Sequence, residues 1–209
     1  MSVNTITIHN SGDEPGNRLA QTILDLIGHV PGTTEGKSLE PALRARVVAR
    51  AAARKAAVTA GSLALPPGPL GWLTVLPEII AVWKLQTQMV ADIAGIYGKK
   101  ADLTREHMIY CLFRHTAAQA VRDLVVRIGE RFLVRKASAR AFQTIARKIG
   151  VSITQQAIGK GVSRWLPIVG AVGVGAYAYY DTSQVARTAV EMFERDIEVV
   201  PAVGTVIEE

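Results

Sequence analysis

One cysteine, Cys111, is all the thiol that 209 residues contain. A single cysteine excludes an intrachain disulfide and makes a reducing compartment the default. Aromatic residues are also scarce, at 6%, although 49% of the chain is hydrophobic. Much of the apolar content is therefore small side chains, which suit close helix packing. The opening residues, Met-Ser-Val-Asn-Thr-Ile-Thr-Ile-His, lack the basic and apolar segments of a secretory signal. Neither a Gly-x-Ser-x-Gly elbow nor a His-Glu-x-x-His helix occurs, so two common hydrolytic chemistries have no motif here. The length is enough for one domain with a sizeable core.

Acidic residues are few where basic ones are dense. Residues 105–164 hold twelve Lys or Arg against Glu106, Asp123 and Glu130, which is +9, more than the +6 of the whole chain. Such a block is a solvated helical face or a contact for anionic lipid or an acidic partner. Aromatics are sparse among these bases, which argues against a binder of single-stranded nucleic acid.

Helical periodicity dominates what is there, and the fold class is all-α. Residues 1–17 read as a polar tail, 18–198 as one helical domain and 199–209 as a second tail. A first amphipathic helix spans about 18–29, with Leu19, Ile23, Leu26, Ile27 and Val30 on one face. Pro41 opens a second helix, in which Arg46, Arg50 and Arg54 form a basic stripe opposite small residues. A third runs from about 73 to 97, with Lys84, Gln88 and Asp92 as its polar edge and Gly98 as its stop. Thr104 caps a long amphipathic helix reaching about Ile128, with Glu106 in its first turn. Shorter helices follow, one of them broken at Gly150, and a last one runs to about Ile197. No strand is evident except at residues 5–8.

Two apolar units interrupt this pattern. Residues 56–77 carry no charge, which is long enough to span a bilayer, but Pro66, Pro67 and Pro69 cut the run in half and Pro77 interrupts it again. Residues 165–180 form a second uncharged run that is too short for a conventional span. Each unit is read as a Pro/Gly-broken helical hairpin. The two look alike, as expected of an internal duplication or of a shared helix-start signal.

The residues that carry these breaks also carry a resemblance. Pro66-Pro67-Gly68-Pro69-Leu70-Gly71, the later Ala94-Gly95-Ile96-Tyr97-Gly98, and Leu166-Pro167-Ile168-Val169-Gly170-Ala171 followed by Gly173 and Gly175 resemble the bacterial EcsC family. A related domain found C-terminal to some bacterial GTPases is similar. The resemblance covers roughly residues 45–195. It implies a bacterial, helical, membrane-related protein and supplies no catalytic residues.

Other constellations give less. His107, Cys111 and His115 share one helix face; two of them could bind one metal with a further ligand such as Glu78 or Asp92, but all three rise too far along the axis to do so, and their apolar neighbours mark a core helix. Residues 32–38, Gly-Thr-Thr-Glu-Gly-Lys-Ser, are one residue short of a phosphate-binding loop, with a helix where the motif needs a strand. The glycines at 170, 173 and 175 do not match a dinucleotide fingerprint and suit close helix contact or lipid-facing packing. Trp72, Trp83, Trp165, Tyr177, Tyr179 and Tyr180 flank the apolar units as an interfacial belt or as core filler.

The expectation is a non-enzymatic protein without cofactor or metal, at the cytoplasmic face of a bacterial plasma membrane. Leu65, Pro66, Pro67, Leu70, Trp72, Trp165, Leu166 and Ile168 would meet lipid. Arg46, Arg50, Arg54, Arg140, Arg147 and Lys148 would supply the basic surface, and Glu78, a carboxylate in apolar text, is a candidate functional group. The alternative is a soluble helical protein holding a fatty-acyl or similar apolar ligand in an internal cavity. A basic module for a protein partner is the third reading.

Overall fold

The computed structural model describes residues 15–63, 71–128, 131–159 and 167–200. The chain is predominantly helical, as expected. Its elements are α1 (Pro15–Gly28), α2 (Pro41–Leu63), α3 (Gly71–Ile96), a 3-10 turn (Lys100–Asp102), α4 (Arg105–Phe113), α5 (Ala118–Val121), β1 (Val125–Ile128), β2 (Arg131–Arg135), α6 (Ala139–Gly159), α7 (Pro167–Phe193) and β3 (Asp196–Val200).

Three long helices form the frame. The Ser38 N–H donates to the Ile96 carbonyl at 2.9 Å, which sets the start of α2 beside the end of α3. Near the other end of α2, Ala57 and Gly61 lie against Gly175 in the first part of α7. Midway along, Gln86 of α3 meets Asp181 and Thr182 of α7. Thus α3 and α7 run the same way, and α2 runs against both. The periodicity of α2 decides its orientation: Ala45, Ala53, Ala56 and Ala60 are buried, while Arg46, Arg50 and Arg54 face solvent. Small residues on the inner face bring the helix axes close.

A loop fastens the opposite end of this frame. The Thr33 hydroxyl donates to Asp92 at 2.6 Å, Gln88 donates to the Gly32 carbonyl at 2.9 Å, and Lys100 to the Thr33 carbonyl at 2.7 Å. A Cβ on Gly95 would lie 2.6 Å from the Glu35 carbonyl oxygen, so glycine is what lets the loop cross α3 here. The stretch that resembles a phosphate-binding loop is spent on this clasp. Gly98, at φ +73°, then ends α3 with bonds from Lys99 N–H to Ala94 and from Gly98 N–H to Gly95, the paired carbonyl capture of a Schellman turn.

The main core lies between α1, α3, α4, α6 and α7. Leu19, Ile23 and Ile27 of α1 are buried, with Leu26 and Val30 packed at their edge, as their spacing predicts. Buried side chains run without interruption through α4 from Glu106 to Phe113. This helix is enclosed rather than amphipathic, and it ends at Phe113, well short of Ile128. Thr104 is its N-cap, as predicted, and the His107 ring accepts the Thr104 N–H at 3.1 Å. Glu106 also reaches across to accept the Ala137 N–H at 2.9 Å, ahead of α6.

The strand-free reading needs correction. Val125-Val126-Arg127-Ile128 pairs antiparallel with Arg131-Phe132-Leu133-Val134, and β3 adds parallel to β2, giving the order β1-β2-β3. β-branched and aromatic residues with Phe132 and Val134 turned inward account for the sheet. β3 takes in Val199 and Val200, which were placed in a tail. Residues 5–8, the one strand expected, lie outside the described residues.

Two further boundaries differ, and so does one packing expectation. α3 continues through Pro77, which removes one backbone bond without ending the helix. α6 continues through Gly150, which is buried. Among the described residues α6 packs along α1, while α7 packs along α2 and α3, so the second apolar unit does not join a packed hairpin as the first does.

Candidate functional site

Helix direction alone brings the two apolar units together. α2 ends, and α3 and α7 begin, at one end of the three-helix frame. Inside that end Ala56, Ala60, Val82 and Ala178 form a small core of their own, with Leu85 and Val174 at its margin. Outside it the apolar surface stays uncovered: Val58 is 72% exposed, Val172 69%, Tyr180 60% and Tyr177 56%. A side chain this apolar and this exposed is ordinary singly; four on two packed helices make a patch.

Much of the expected lipid contact lies beyond description. Leu65, Pro66, Pro67, Leu70, Trp165 and Leu166 are outside the described residues, and so are the side chains of Trp72, Glu78 and Ile168, whose backbones lie in α3 and α7. The aromatic belt divides. Trp83 is buried with its ring 5.2 Å from Phe113 in an edge-on contact, so it fills the core, whereas Tyr177, Tyr179 and Tyr180 face solvent. The glycines divide as well. Gly175 meets Ala57 directly, while Gly173 faces open space.

The basic candidates separate into two groups. Arg46, Arg50 and Arg54 make an exposed ladder on α2, and among the described residues none of them is ion-paired. Arg54 is the rung nearest the apolar end. Arg140, Arg147 and Lys148 are exposed on α6 against α1. Arg140 stands in the first turn of that helix, just past the Ala137–Glu106 bond at the start of α4. Arg140 thus lies at the clasp end of the molecule, away from the apolar units. Three-dimensional placement therefore sets the two basic groups on different helices, α2 and α6.

Just inside the apolar end lies a polar cluster that the sequence reading missed. The His115 Nε2 is 2.6 Å from Asp181 Oδ1, and the Gln86 amide donates to Asp181 Oδ2 at 2.7 Å and to Thr182 Oγ1 at 3.1 Å. Gln86 and Thr182 are fully buried. With an ionised carboxylate, which can only accept, Nε2 is the donor. Asp181 thus ties α3 and α7 to the turn that follows α4. Its signal in the sequence was present: Asp181 is the first charge after sixteen uncharged residues.

His107, Cys111 and His115 share a face of one turn sequence but not a site. His107 is held by Thr104, Cys111 lies 3.9 Å from the Met192 sulfur, and His115 is bound to Asp181. Burial pushes the His107 imidazole down to about 4 and the Cys111 thiol up, so both stay neutral. Among the described residues no group of three or more His, Cys, Asp or Glu could hold a metal ion, and no helix is long and apolar enough to cross a membrane. Compared with models of known families, with curated proteins and with solved structures, the chain matches none.

Proposed function

We propose that this is a non-enzymatic protein that associates peripherally with the cytoplasmic face of a bacterial membrane, through the end where α2 finishes and α3 and α7 begin. One observation carries the reading: Val58 on α2 and Val172, Tyr177 and Tyr180 on α7 leave an apolar patch uncovered where both Pro/Gly-broken units converge. Fully burying one such side chain is worth about 1.5–3 kcal/mol, so the patch supplies several kcal/mol against the cost of association. The resemblance to EcsC proteins supports the same reading. Attraction to anionic lipid comes in this arrangement from the α2 ladder rather than from α6.

Co-sedimentation with neutral and with anionic vesicles tests it. The protein is expected to pellet with anionic vesicles, less at high salt, and the triple variant Val58→Asp, Val172→Asp, Tyr180→Asp is expected to stay in the supernatant while retaining its helical circular dichroism. Failure of the unaltered protein to bind either vesicle would overturn the proposal. If that same protein carried lipid detectable by mass spectrometry, an internal apolar ligand would replace the membrane as the reading.

A further inference from the structure

The three helices of the apolar end change character at a single level. Because Gly175 sits on Ala57 and α2 runs against α7, one turn back along α2 is level with one turn on along α7, which pairs Arg54 and Lys55 with Tyr177, Tyr179 and Tyr180. Because Gln86 meets Asp181 and Thr182, and Val82 shares a small core with Ala178, Lys84 of α3 stands at that level too. All six side chains are exposed. Past this level the remaining stretches of the three helices contain one charge in all, Glu78. A ring of bases and tyrosines followed by nearly uncharged helix stretches is the pattern of a membrane–water boundary, where bases meet phosphates and phenol rings straddle the headgroups.

We infer that Arg54, Lys55 and Lys84 with Tyr177, Tyr179 and Tyr180 form a collar that sits at the headgroups of an anionic bilayer, and that the tip beyond it enters a single leaflet. This rests on the membrane reading above and adds its depth and its contacts. The lengths decide the depth. At 1.5 Å per residue the tip rises about 14 Å from Arg54 to Leu63, about 18 Å from Tyr179 back to Pro167, and about 20 Å from Lys84 back to Gly71. Half of a hydrocarbon core is about 15 Å. Over its described residues the tip therefore matches the depth of one leaflet. Glu78 lies six residues, about 9 Å, past Lys84, in the outer part of that length.

Two measurements test this in the full chain. Cysteines placed at Ser62 and Gly173, beyond the collar, and at Gln88 and Arg187, below it, would carry a fluorophore, with buried Cys111 left in place. With phosphatidylglycerol-containing vesicles, lipids nitroxide-labelled on the acyl chain are expected to quench the first pair and spare the second. Separately, Arg54→Gln and Lys84→Gln are each expected to weaken vesicle partitioning about fivefold, while Arg140→Gln and Arg147→Gln change it less than twofold. Equal quenching at all four positions, or equal effects of the two pairs of charge variants, would overturn the collar and leave vesicle binding itself standing. Absence of vesicle binding by the unaltered protein would overturn both.

Discussion

The carbonyl oxygen of Ala57 lies 2.9 Å from where a Cβ on Gly175 would stand. At that distance backbone must shift, because neither atom belongs to a flexible side chain. Gly175→Ala is expected to cost about 1–2 kcal/mol, the clash exceeding the gain of up to about 1 kcal/mol in helix propensity. Gly173→Ala, two residues away and facing open space, is expected to gain about 0.5–1 kcal/mol. Urea denaturation of the two variants checks the contrast in sign.

Asp181 holds two donors, from His115 and Gln86, with one carboxylate. Asp181→Asn keeps the shape but turns an N–H toward one of those donors. The expected loss is about 2–4 kcal/mol. Replacing the whole cluster together, as Gln86→Met, His115→Leu, Asp181→Leu and Thr182→Val, is expected to recover most of it, since each buried partner is removed along with the group it meets. Chemical denaturation of both variants measures the difference.

His107 couples stability to acid. Burial holds its folded-state value at about 4, below the 6.5 of a free imidazole, so the unfolded chain takes up the proton first. This contribution is complete above about pH 6.5 and disappears as the pH falls toward 4, amounting to about 3 kcal/mol at most. His107→Asn keeps an acceptor for the Thr104 N–H and cannot titrate. The gap in stability between the two proteins is therefore expected to change across pH 4–6.5 and to be constant above it, as read by denaturation at a series of pH values.

Cys111 reports opening of the core. It is fully buried, and burial raises its thiol above the ordinary range, so little thiolate exists to react. Ellman's reagent at pH 8 is expected to leave the native protein unmodified for hours and to titrate one thiol at once in denaturant. Rapid reaction of the native protein would mean that α4 and α7 separate readily.

Local patterns foretold what local forces decide. The face of α1, the arginine ladder of α2, the polar edge of α3 and the stops and caps at Gly98 and Thr104 stand where spacing and residue type put them. The sheet was missed although Val125-Val126-Arg127-Ile128-Gly-Glu-Arg131-Phe132 has the two-residue connection of a hairpin. Helical text on both sides masked it, and the parallel partner β3 is more than sixty residues away. α4 was extended too far because its apolar residues fit a helix of any length, and burial on every side carries no periodic mark. At the candidate site the two apolar units were legible one by one. Their convergence was not, because it follows from the relative direction of α3 and α7, and no stretch of sequence encodes a direction. Nor does spacing along the chain reveal that α6 would carry its bases away to α1.

The parallel course of α3 and α7 has an electrostatic outcome independent of any side chain. Each helix start carries about half a positive elementary charge from unpaired N–H groups, and each helix end about half a negative one. At the apolar end two starts meet one end, which leaves that tip with a net positive field of about half a charge. The part of the molecule poorest in ionisable residues is thus not electrically neutral.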